Sequence, residues 1–203
     1  MPGLVPPEKD EQDALIGYLD QQRYGLRLAA HGLTDSQARE TPTSSSLSVG
    51  GLIKHLSGVE RFWMQIALDN VERPDSDEAG AEDYQSGFRL GPDESLQSVL
   101  DAYAEVASDT DRIIRSVPDL SDTVPVPTGV PWFPQDVDAW SVRWIVLHLI
   151  EETARHAGHA DIVREAVDGA TAFPLMAAVE GWPETPWMKP WSPVGEELLP
   201  DPA

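Results

Sequence analysis

Glu152 and His156 stand four residues apart in SVRWIVLHLIEETARHAGHADIVREAVDG, residues 141–169. At ~100° per residue they share one helical stripe with Ile145, Leu149, Ala160 and Val163. That stripe is otherwise apolar and should face a core. A carboxylate and an imidazole on a buried seam are costly unless something pairs them, and a divalent metal ion pairs both at once. A catalytic zinc-type site takes three protein ligands and keeps one position open. His55 offers the third donor. It follows Leu52 by three residues and precedes Val59 by four, which places it on the inner stripe of another helix. Two imidazoles and one carboxylate also suit Fe(II), Ni(II) or Mn(II), so the metal's identity is open at this level.

Other residues compete for these roles. Glu151 lies ~100° around the helix from Glu152, toward water. His148 precedes Glu152 by one turn and could share an ion with it. His159 is ~10 Å along the axis from Glu152, too far for joint coordination. His148 and His159 are therefore candidates for orienting a ligand from behind, against the plainer reading of ordinary helix histidines. Arg155 is a candidate for binding an anionic substrate group, with a salt bridge to a nearby acid as the alternative; the same holds for Arg164. His31, beside Gly32, reads as a residue at a helix C-terminus interacting with the dipole. Spacing alone does not separate a metal seam from hydrogen-bonded core histidines.

The elements that must position these groups read as helices. Residues 8–31 form the first, with Leu15, Leu19, Leu26 and Ala29 inward and Gly32 as its C-cap. Thr34 and Gln37 make a capping box for a short turn. The second helix begins near Ser46 or Ser48 and runs to about residue 70, with Leu52, Val59, Trp63 and Ile66 on its stripe. Residues 71–92 are acidic and turn-rich, a long crossover or surface loop. The third helix spans about 93–117 and Pro118 ends it. The stretch SDTVPVPTGVPWFPQDVDAW holds too many prolines for a helix or a central strand. Ser141 then caps the fourth helix. The expectation is an all-α four-helix bundle over residues 1–170 with long connecting loops. An irregular Trp/Pro-rich C-terminal tail, 171–203, holds a short helix at 174–179. Its Trp182, Trp187 and Trp191 should pack on the bundle or on a partner subunit.

Composition narrows the function. The chain has 203 residues, 41% of them hydrophobic, and 35 acidic against 14 basic residues give a net charge of −21. That balance argues against nucleic acid and against anionic membrane as partners. There is no cysteine, which excludes disulfides, thiolate metal ligands and a cysteine nucleophile. The opening MPGLVPPEKDEQD has neither the basic start nor the apolar run of a signal peptide. No apolar stretch approaches the ~20 residues of a membrane span. A cytoplasmic protein is expected.

The segments LIKHLSGVERFWM and EETARHAGHADIVREAVDG resemble the DinB-like superfamily of four-helix-bundle metalloproteins. They are most similar to the actinobacterial branch related to the N-terminal domain of mycothiol-dependent maleylpyruvate isomerase. The resemblance spans nearly the whole chain. It implies one histidine ligand from the second helix and a glutamate–histidine pair from the last, hence His55, Glu152 and His156. It implies a divalent metal, most often zinc or nickel, and an S-transferase that uses mycothiol or a similar low-molecular-weight thiol. Held at the open metal position as a thiolate, the thiol would attack an electrophilic acceptor, whose identity the sequence does not carry. The isomerase has a further C-terminal domain, whereas this chain ends in a tail of about thirty residues, so maleylpyruvate isomerisation is not expected. The alternatives are a non-catalytic metal-bound bundle in stress-linked binding and a metal-dependent hydrolase. Glu60 or Glu151 would have to serve that hydrolase as base. The tryptophan-rich tail and the resemblance both point to a homodimer.

Overall fold

The computed structural model describes residues 3–68, 85–128, 130, 132–134 and 136–193. Four long helices carry the architecture: α1 (Glu11–Ala30), α3 (Val49–Ala67), α4 (Leu96–Ser116) and α5 (Val142–Asp168). A single turn, α2 (Asp35–Ala38), precedes α3, and α6 (Ala172–Glu180) follows α5. Helix α5 packs on α1 along one side and on α3 along another, and α3 also packs on α4. The first part of the expected crossover, residues 71–84, lies outside the described residues; residues 85–92 lead back along α3 to α4.

Side-chain caps set the helix starts. Asp10 accepts from the Gln12 and Asp13 amides, Ser48 from Gly51, Ser95 from Ser98 and Ser141 from Trp144. Each satisfies an amide that the first turn leaves without a helical partner. The capping box of Thr34 and Gln37 is present. Gly169, at φ 78°, ends α5 in the left-handed conformation that glycine adopts without strain.

One element differs from the sequence expectation. The proline-rich connection contains a two-stranded antiparallel ladder, β1 (Thr123–Pro125) with β2 (Ala139–Ser141), in the register Thr123↔Ser141, Val124↔Trp140, Pro125↔Ala139. Each strand has an edge on which a proline costs nothing, and Val124 and Trp140 are both buried. Ser141 ends β2 and caps α5, so the ladder aims the long helix.

The core has two main parts. Ile16, Leu19, Trp63, Ile66, Ile145 and Leu149 fill one end, with Phe133 and Trp140 from the connection. Leu26, Leu52, Leu56, Tyr103, Ala160 and Val163 fill the other. A smaller cluster seats α6 on the outer face of α1 through Tyr24, Leu28, Ala170 and Leu175, with Trp191 against it. Trp182 meets Phe173 at 6.1 Å, whereas Trp187 is 76% exposed. Arg164 donates to the carbonyls of Ala29 and His31 and to Asp168, and its guanidinium lies 4.9 Å above the Trp191 ring. Arg164, rather than His31, is thus the cation that closes the C-terminus of α1.

Half-buried Asp161 carries a folded-state consequence. Burial, and then Glu165 one turn on, pushes its carboxyl up to about 6. The folded protein therefore holds this proton more tightly than the unfolded chain, so stability falls as pH rises through the window from ~4 to ~6. Asp161→Asn is expected to flatten that slope and to raise stability at pH 7 by on the order of 1 kcal/mol, allowing for solvent screening. Urea titrations at pH 4, 5, 6 and 7 measure both; an unchanged slope would contradict the assignment.

Candidate metal centre

His55 on α3 and Glu152 and His156 on α5 converge. One potential ligand atom from each lies within 4.8 Å of the others, the single such group of His and acidic residues found among the described residues. Glu152 Oε1 is 3.3 Å from His156 Nε2 and 3.8 Å from His55 Nε2. Donors bonded at ~2.0–2.2 Å to one tetrahedral ion stand ~3.3–3.6 Å apart, so the donor set and its spacing fit a divalent cation. His55 is buried, and Glu152 and His156 are half-buried. The two histidines, and His156 most of all, hold the Glu152 carboxyl well below the usual carboxylate range. It is an anion under any physiological condition.

The surroundings orient this set. His159 brings its Nδ1 to 3.4 Å from His156 Nδ1, which leaves His156 Nε2 directed at Glu152. Phe88 stacks on His55 at 3.8 Å and 18°, and stands 6.1 Å from His156. His148 is not one of the clustered donors. Its ring stacks on Trp144, meets Trp63 edge-on, and lies 3.7 Å from Glu151. Arg155 is exposed and bonded to exposed Glu151 at 3.0 Å, away from the donors. Glu60 is fully buried, bound by Arg23 and Tyr103, so it has no access to an open metal position.

The mycothiol-S-transferase family model matches residues 14–169. The chain belongs to the mycothiol-S-transferase family. This DinB-like family accounts for the span from α1 to the glycine that caps α5, all three clustered donors included. A solved structure, that of a conserved protein of Enterococcus faecalis, shares the fold at a TM-score of 0.61 and 15% identity, over 80% of this chain and 100% of that one. No curated protein matches the sequence. No helix among the described residues is long and apolar enough to cross a membrane. Family membership supports mycothiol-related S-transfer as the activity.

No helical period singles out Phe88, although an apolar pair, Phe88 and Leu90, in a polar connection is a signal. The other half of that signal is the Gly50-Gly51 pair. A methyl group built on Gly51 would overlap the Phe88 carbonyl, and one on Gly50 would overlap the Leu90 side chain. The first turn of α3 is glycine because the chain at 88–90 lies directly on it. Gly51→Ala is expected to cost about 1–3 kcal/mol despite alanine's better helix propensity. It should also weaken metal binding by lifting Phe88 from His55. Thermal melts with and without metal test this; a more stable variant would show that the segment yields freely.

At the N-terminal end of α3 a cleft of about 390 Å³ is lined by Arg39, Thr41, Ser46, Ser48, Arg89 and Leu90. Arg39 is locked there by donation to the carbonyls of Leu90 at 2.8 Å, Gly91 at 3.0 Å and Glu94. These carbonyls fix the guanidinium without cancelling its charge.

Proposed function

We propose that this chain is a metal-dependent S-transferase in which His55, Glu152 and His156 hold a divalent ion, zinc or nickel, that receives a low-molecular-weight thiol such as mycothiol. The observation that carries the reading is the convergence of these three donors from α3 and α5 within the span the family model matches. Bound in that set, such an ion supplies Lewis acidity that lowers a coordinating thiol's pKa toward neutrality.

The chain's own residues prepare the place. Glu152 contributes a full negative charge, His159 fixes the ring of His156, and Phe88 shields His55 from water. With no cysteine in the chain, the reacting sulfur comes from outside. The acceptor is an electrophile. Hydrolysis is the weaker alternative, because Glu60 is sealed in an ion pair and Glu151 is held by Arg155.

The test is metal analysis of the purified protein, followed by incubation with mycothiol and a reactive electrophile and mass spectrometry of the products. Conjugate should form with metal-replete protein, disappear after chelation and return with zinc or nickel. Bound metal without any conjugate would leave a non-catalytic metal-bound bundle. Protein that takes up no metal would overturn the reading.

A further inference from the structure

The metal centre is one end of a longer row. Trp140 in the middle of β2, then Trp144, His148, Glu152 and His156 on α5, follow at four-residue steps, those on α5 ~6 Å apart along the helix axis. The first three members are stacked rings. Trp140 and Trp144 are 5.0 Å apart at 7°, and Trp144 and His148 are 5.4 Å apart at 6°. Trp63 on α3 walls the stack, 5.3 Å from Trp140, 5.7 Å from Trp144 and edge-on to His148 at 4.6 Å. The member after His148 is the Glu152 carboxylate, so the rings stop where the metal donors begin. Solvent reaches this end: Trp144 is 42% exposed and the His148 side chain 27%. One face of His148 is covered by Trp144; among the described residues no ring stacks on the other.

We infer that His148 is the floor of an acceptor subsite that takes a planar, uncharged electrophile. The acceptor's ring forms the next rung on His148, Trp63 stands at its edge, and its reactive carbon reaches toward His55, Glu152 and His156. Offset stacks at such centroid spacings are favourable beyond the area they bury. Charge selects against anions, because Glu151 and Glu152 flank the approach, Arg155 is already paired with Glu151, and the chain carries −21 overall. Helix α3 sets out the division of roles in order. Ser48 borders the polar cleft, His55 is the donor, and Trp63 is the aromatic wall, at ~10 Å and ~12 Å spacings. Two guanidinium groups and three hydroxyls make the cleft suited to the hydrophilic thiol and unsuited to a flat apolar ring. In the transfer, the new S–C bond forms as the acceptor's bond to its leaving group breaks. The leaving group keeps the bonding pair, and the thiol proton passes to solvent.

This inference rests on the transferase reading, and its test is separable from it. Unreactive 1-naphthalenemethanol is titrated into metal-analysed protein with no thiol present, and binding is followed by calorimetry and tryptophan quenching. Cyclohexylmethanol serves as the saturated control. We expect His148→Ala to weaken naphthalenemethanol binding about tenfold, with metal content unchanged. His148→Phe, which keeps a ring, should retain it, and the saturated alcohol should bind about tenfold more weakly than the aromatic one. Equal affinities in wild type and His148→Ala, or for the two alcohols, would overturn the subsite. So would a wild-type dimer that Trp144→Ala converts to monomer, since a second copy would then cover this face. Ring binding as expected without any thiol conjugate would sink the transferase reading alone. Conjugation indifferent to His148 would sink the subsite alone.

Discussion

Replacing His156 with alanine is expected to reduce divalent-metal affinity by more than ~100-fold, the upper end of what removing even an outer hydrogen-bond partner costs. The reason lies in the donor count. His55 and Glu152 alone would leave two ligands, with Glu152 still ionised but without the neighbour that contributes most to keeping it so. The effect should appear in stability as well. An ion that binds the folded chain alone at ~1,000 times its Kd adds ~4 kcal/mol, or roughly 10 °C in Tm for a chain of this size. Wild-type protein should therefore gain Tm on adding zinc or nickel, and His156→Ala should not. His159→Ala should fall between them, about 10–100-fold weaker in metal affinity, because it removes only the group behind His156. Elemental analysis and melts of the three proteins decide the matter. One tightly held ion per chain in His156→Ala would refute the assignment.

Arg23→Met is expected to cost ~3–5 kcal/mol, again on the order of 10 °C, without touching metal content. Arg23 is completely buried, and each of its three nitrogens is hydrogen-bonded. Its Nε and Nη2 bond the two oxygens of Glu60 at 3.0 and 2.6 Å, and Nη1 bonds Asp20 at 2.6 Å and Asp111 at 2.9 Å. Tyr103 adds its hydroxyl to Glu60 Oε1 at 2.7 Å. Burial works against the guanidinium's charge, yet Glu60 and Asp111 outweigh it and raise its pKa. Burial beside Glu60 likewise drives the Tyr103 phenol well up, so it stays a donor. Removing Arg23 leaves a buried carboxylate with the phenol and no cation. The double variant Arg23→Met, Glu60→Leu should recover most of the loss, because neither charge then needs desolvating. Its residual deficit should be about 1 kcal/mol from the stranded Tyr103 hydroxyl. Urea unfolding of the single and double variants measures this, and a single-variant loss below ~1 kcal/mol would show that the ion pair contributes little.

The amino-acid sequence alone determined the helices and marked the residues that could do chemistry. Apolar residues at three- and four-residue steps, with Ser48 and Ser141 as starts and Gly169 as a stop, depend only on local backbone geometry. His55, Glu152 and His156 stood out because polar groups on an apolar stripe are anomalous within a single helix. The β1–β2 ladder was not legible: three-residue strands rich in proline carry no periodic signal, and their pairing joins residues 123–125 to 139–141.

The tertiary structure decided how the faces divide. Helix α5 touches both α1 and α3, so its buried arc is wide and its centre runs through Leu149 and Thr153, both fully buried. Glu152 and His156 lie at the edge of that arc facing α3, half-open. Periodicity reports that a residue is buried, not which neighbour buries it, since two contact faces merge into one stripe. For the same reason Arg23 and Glu60, each an ordinary charged residue on its own helix, gave no sign of meeting across 37 positions of sequence. Phe88 reaches His55 from a connection with no period at all. The candidate donors were legible in the sequence; the open edge, the phenylalanine over His55 and the stacked row leading away from Glu152 exist only once α3 and α5 lie side by side.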